Sequence, residues 1–131
     1  MPEAEGKIFA FEPEESIRKD FLETIDYDGK RQEITYETVE FCAVCPFSGL
    51  PDLGKLTVKY VPRRKIVELK SLKYYIISFR NVGIYQEAAT NRIFNDIMEC
   101  LEPEYLFIQT LYNIRGGILS TCEMDSGKMK K

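Results

Sequence analysis

Two cysteines, a proline and an aspartate crowd into one short stretch, CAVCPFSGLPD, from Cys42 to Asp52. The Cys42/Cys45 spacing fits a zinc half-site, a redox pair, or a strand end that carries one reactive thiol. A structural zinc needs two further ligands. Cys100 and Cys122 lie far along the chain in other elements, and there is no histidine to complete a set, so no metal is expected. A thioredoxin-like pair opens a helix, whose dipole acidifies the thiol; these cysteines close a strand. Cys42 is therefore expected as a buried packing residue. Cys45 differs, because Pro46 ends regular structure directly after it and leaves its side chain at a mouth, where a thiolate is usable. Asp52, on the same loop, is placed to act as a general acid.

The lack of histidine removes Ser-His-Asp and Cys-His catalysis and the usual zinc hydrolase sites. Proton transfer must come from Asp, Glu, Lys, Tyr or water. Three further groups of residues bear on chemistry. Glu68 closes a strand, and Lys70 and Lys73 follow it on the first turn of an expected helix, opposite the apolar stripe. They read either as a solvated face or as an anion clamp beside helix N–H groups. Glu87 opens a second helix, where the macrodipole alone favours a carboxylate. Together, Glu68 and Glu87 suit a ligand rich in N–H donors, such as a guanine-like edge. The chain has no GxGxxG turn, so a dinucleotide would not be held in the Rossmann manner.

These residues need elements to position them. A chain of 131 residues, 44% hydrophobic and 30% charged, forms one domain with a real core. Its net charge of −3 gives no electrostatic reason to expect nucleic acid. No apolar run is long enough for a bilayer and the N-terminus is too acidic for a signal peptide, so no membrane partner and a cytoplasmic location are expected. Residues 1–20 read as a mobile or loosely docked arm, 21–125 as the domain, and 126–131 as a solvated tail. Asp28-Gly29 marks a hairpin turn leading into a strand that ends near Cys45. In GKLTVKYVP, Leu56, Val58 and Tyr60 share one face of a half-buried strand, interrupted by Pro62-Arg63-Arg64 and resumed in KIVEL. Leu72, Tyr75, Ile76 and Phe79 then form a helical stripe that stops at Gly83. A second stripe follows in Ala89, Ile93, Ile97 and Leu101, with Pro103 beyond its end. EYLFIQTLYNI reads as a strand buried on both faces, turning at Arg115-Gly116-Gly117 into ILSTCEM. The order is β-β-α-α-β-β: an α+β chain whose antiparallel four-stranded sheet carries both helices on one face.

CPFSGLPD, the Glu68-Leu69-Lys70-Ser71-Leu72-Lys73 signature, the glutamate of YQEAATN and RGG together resemble the QueF family of NADPH-dependent 7-cyano-7-deazaguanine reductases of queuosine biosynthesis. The resemblance runs from about Phe41 to Gly117. It implies the tunnelling fold (T-fold) and a homo-oligomeric ring, commonly a decamer of two stacked pentamers with sites between subunits. It also implies that Cys45 attacks the nitrile carbon to give a covalent thioimide and that Asp52 is the acid/base. Val67, Glu68, Leu69, Gln86 and Glu87 would meet the substrate, and Lys70, Lys73, Arg115 and Gly116 would hold NADPH. One departure stands out. Family members usually carry a histidine beside the glutamate, whereas Gln86 and Ala88 flank Glu87 here; glutamine hydrogen-bonds but does not titrate. A position where some relatives carry cysteine is Ala89, so no protective disulfide from Cys45 runs through it. The same resemblance leaves two alternatives: a QueF-like amidinotransferase acting on deazaguanine-modified tRNA, and a non-catalytic deazapurine-binding ring protein. Retention of Lys70 and Lys73 argues against the first.

Overall fold

The computed structural model describes residues 10–129; positions 1–9 of the expected arm and 130–131 of the expected tail lie outside the described residues. Its strands are β1 (Thr24–Asp26), β2 (Ile34–Val44), β3 (Pro51–Val61), β4 (Lys65–Val67), β5 (Tyr105–Arg115) and β6 (Ile118–Asp125). Helices α1 (Leu69–Ile77) and α2 (Gln86–Leu101) lie between β4 and β5. Four strands form one antiparallel sheet in the order β2-β3-β5-β6. This is the four-stranded sheet with two helices expected of the tunnelling fold.

Period-2 and period-3.6 patterns meet in one core. Leu56, Val58 and Tyr60 of β3 and Leu106, Ile108 and Tyr112 of β5 turn the same way. They are covered by Leu72 and Tyr75 of α1 and by Ala89, Ile93, Ile97 and Leu101 of α2. Phe79 sits between, its ring centroid 5.5 Å from Phe41 and 5.4 Å from Tyr75. Beneath the helices, the buried Asp96 carboxylate accepts from Tyr75 Oη and Arg92 Nε, each at 2.7 Å. A buried charge is tolerable when paired and hydrogen-bonded in this way. Residues 12–22 pack against the body: Ile17 joins the core, and Gly83 N donates to the Glu12 carbonyl at 2.8 Å.

Five expectations are corrected. Asp28-Gly29 does not close a hairpin between neighbouring strands, because β1 pairs with β4 in a separate two-stranded sheet, Asp26 opposite Lys65. For the same reason KIVEL is not a resumption of β3; Pro62 has no N–H for the ladder, and the chain turns away after it. α1 stops at Ile77, not at Gly83, with Phe79 buried from the following turn. β5 buries one face only, since its other face, including Phe107 and Leu111, is half-exposed. Cys42 is half-buried and pairs opposite Leu53, on the face away from Phe41 and Ala43.

Candidate active site

The CPFSGL segment is a tight reversal joining β2 to β3. Cys45 N donates to the Leu50 carbonyl at 2.9 Å, and Gly49 N donates to the Cys45 carbonyl at 2.7 Å. Gly49 has φ 74°, a left-handed conformation that glycine adopts without steric cost. This loop leaves the Cys45 side chain partly exposed beside Ser48. What burial it has pushes the thiol up, and the Asp52 charge adds to that. The Ser48 hydroxyl and the N–H groups of Ser48 and Phe47 outweigh both by favouring the thiolate, so Cys45 lies below an ordinary thiol. Cys42 and Cys100 are pushed up by burial.

Backbone pairing brings the other groups to Cys45. Val44 N donates to Val82 at 2.9 Å, and Ile84 N donates back to Val44 at 3.0 Å. This pins the segment leading into α2 against the end of β2, so the first turn of α2, with Gln86 and Glu87, arrives beside the thiol. Asp52 begins β3 on its inner face, 5% exposed, and accepts from the Arg115 guanidinium at the β5–β6 turn. That turn is tight because Gly116 and Gly117 take φ 59° and 78°. The result is an open cleft of about 380 Å³ lined by Cys45, Asp52, Tyr85, Gln86, Glu87, Asn113, Arg115, Ile118 and Ser120. Its size suits a nucleobase-sized molecule.

The second group of expected site residues lies elsewhere in the chain. Val67 is buried and donates its N–H to Tyr60 Oη at 3.1 Å, at the far end of β3. Eight residues of strand separate Tyr60 from Asp52, about 26 Å. Glu68 caps α1, accepting from Ser71 N at 2.8 Å and Lys70 N at 3.0 Å, and these bonds hold its carboxyl below the usual range. Leu69, Lys70 and Lys73 are exposed on the first turns of α1. Among the described residues neither lysine is in an ion pair. Two ammoniums outside any such ion pair, Lys70 also lying 5.6 Å from the Tyr74 ring centroid, match the phosphates of a dinucleotide in charge. Gly116 is exposed at the turn next to Arg115 and does not line the cleft. One chain thus brings Cys45, Asp52, Gln86, Glu87 and Arg115 together and holds Val67, Glu68, Leu69, Lys70 and Lys73 apart from them.

Sequence reading missed Tyr85, Asn113, Ile118 and Ser120 in the cleft wall, and Ser48 beside the thiol. Ser48 was legible as the only hydroxyl in the loop, and Tyr85 as the neighbour of Gln86; Asn113, Ile118 and Ser120 enter through strand register, which no local pattern reveals.

Residues 51–131 match the family model described as QueF-like protein. A protein of Thermotoga maritima named NADPH-dependent 7-cyano-7-deazaguanine reductase is 58% identical over 132 residues, covering 100% of this chain and 96% of that one. The chain belongs to the QueF family. A QueF-family relative of the same name from Chlorobaculum tepidum is 43% identical, covering 88% of this chain and 100% of its own. The crystal structure of an archaeosine synthase QueF-Like superposes with a TM-score of 0.67 at 18% identity, over 79% of this chain and 100% of that one, and shares its fold. No helix among the described residues is long and apolar enough to cross a membrane.

Proposed function

We propose that this QueF-family chain is an NADPH-dependent 7-cyano-7-deazaguanine reductase, converting the nitrile to an aminomethyl group in queuosine biosynthesis. The observation that carries the reading is a partly exposed thiol, Cys45, held below its ordinary pKa and sharing one cleft with a buried carboxylate, Asp52, and with Glu87. Cys45 Sγ adds to the electrophilic nitrile carbon, forming a C–S bond while the nitrile nitrogen takes a proton by way of Asp52; the product is a thioimide. Arg115 beside Asp52 must yield as that proton moves, and its guanidinium is then free for an anion. Glu87 accepts from the N–H groups of the base. NADPH, when bound, supplies hydride, two equivalents per nitrile, so that four electrons and the matching protons give the amine and return Cys45 as a thiol. Lys70 and Lys73 hold its phosphates.

Glu68, Lys70 and Lys73 sit too far from Cys45 to serve the same cleft in one chain. The site is therefore built between copies of the chain in a homo-oligomeric ring, two stacked pentamers in this reading, working in the cytoplasm. Residues 21–125 form the catalytic domain.

Mixing the protein with 7-cyano-7-deazaguanine should give thioimide absorbance, and adding NADPH should then give NADPH oxidation with the amine as product. Cys45→Ala should remove both signals. A thioimide with no NADPH oxidation would sink the reductase reading and leave the amidinotransferase or the binding protein.

A further inference from the structure

Gln86 is the side chain at the start of α2 whose chemistry the preceding steps leave unused. It lines the cleft with Cys45, Asp52 and Glu87. Its position is held twice. Thr90 Oγ1 donates to the Gln86 carbonyl at 2.9 Å, and Thr90 in turn meets Thr110 of β5 at 2.6 Å. The Ser120 hydroxyl of β6 then donates to the side-chain oxygen Oε1. Ser120 is placed for this by register: it lies opposite Tyr112, whose side chain is buried on the helix-covered face. With Oε1 committed to Ser120, the Gln86 NH₂ has no protein partner among the described residues. A carboxamide fixed at its oxygen presents its two N–H donors on the other edge.

The next residue, Glu87, offers the opposite chemistry, an acceptor without donors. The first turn of α2 therefore presents a donor and an acceptor side by side. The complementary ligand edge is a carbonyl next to an N–H, which is the lactam edge of a guanine-like base. Resting on the proposed substrate class, we propose that Ser120 is a positioning residue. It locks the Gln86 carboxamide so that its NH₂ reads the lactam oxygen of the base while Glu87 reads the neighbouring N–H. Specificity for an oxo-base over a base lacking that acceptor then depends on a serine of β6 that need not touch the ligand.

The test compares 7-cyano-7-deazaguanine with its thiocarbonyl analogue, in which sulfur, a weak acceptor, replaces the lactam oxygen and the adjacent N–H is kept. The readout is the second-order rate of thioimide formation, followed for wild type, Ser120→Ala, Ser120→Thr and Gln86→Glu, each checked for an unchanged melting transition. Wild type should prefer the oxo-base by about tenfold, the scale of one buried hydrogen bond. Ser120→Ala should reduce that preference to about twofold, and Ser120→Thr, which keeps the hydroxyl, should retain it. Gln86→Glu, which can still accept from Ser120 but offers no N–H, should lose the preference entirely. A folded Ser120→Ala protein with the full wild-type preference overturns the proposal, as does a Gln86→Glu protein that keeps it. No thioimide from wild type with either base overturns the reading of the site on which the proposal rests.

Discussion

A thiol attacks a nitrile carbon only as a thiolate, so what surrounds Cys45 matters as much as where it sits. Ser48 lies in the same loop, where its hydroxyl favours the thiolate, and its oxygen accepts from Leu50 N at 3.3 Å. Iodoacetamide at neutral pH should label Cys45 before Cys42 and Cys100, whose thiols burial pushes up; peptide mapping by mass spectrometry checks the order. In Ser48→Ala the loss of a hydroxyl that favours the charged form raises the Cys45 pKa. The pH midpoint of alkylation should then move up, and the rate at neutral pH should fall several-fold. Labelling that is equally fast in wild type and variant would remove Ser48 from the mechanism. The Arg115–Asp52 pair belongs to the same scale. Arg115 is half-exposed, so Arg115→Ala should cost about 1 kcal/mol of stability, well below what a fully buried pair would lose, as read by urea denaturation.

At the scale of elements, two close fits carry the site. Glu68 caps α1 through two backbone N–H groups. Glu68→Ala should lower the melting temperature by a few degrees (about 4 °C), apart from any effect on catalysis. Gly54 lies where β3 approaches β5: a Cβ there would meet the Leu111 carbonyl oxygen at 2.5 Å and Tyr112 Cα at 3.0 Å. Both are backbone atoms that cannot swing aside. Gly54→Ala should therefore separate the strands next to Asp52, costing about 1–3 kcal/mol and slowing thioimide formation. Calorimetry together with single-turnover rates would check it, and an unperturbed variant would show that the sheet yields more easily than its register implies. The helices themselves were legible because Ala89, Ile93, Ile97 and Leu101 repeat at helical spacing. The β1–β4 pairing was not, because three exposed residues carry no period and Asp28-Gly29 imitates a hairpin turn.

At the scale of the molecule, β2 and β6 are both edge strands of the main sheet, and edges of 11 and 8 residues are ordinarily paired or covered. The half-exposed outer face of β5, with Phe107 and Leu111, also fits a surface that another copy covers. If the site is shared between copies, inactive Cys45→Ala and inactive Glu68→Gln proteins, unfolded and refolded together, should regain activity. Random mixing in a ring restores about a quarter of the shared sites, because each needs an intact Cys45 from one subunit and an intact Glu68 from its neighbour. No recovery, with both variants still assembled by light scattering, would place the whole site in one chain.

By itself the sequence determined which residues have usable chemistry and the face that β3 and the two helices turn inward. Both follow from side-chain type and from periods of two and 3.6, which are local. It singled out Cys45, Asp52, Glu68, Glu87 and the lysine pair. Which of these meet was decided only by the tertiary structure. Strand pairing sets Gln86, Arg115 and Ser120 around Cys45, and the length of β3 carries Glu68, Lys70 and Lys73 to the other end of the sheet. Register and strand length act between residues far apart in the chain, and no local pattern records them.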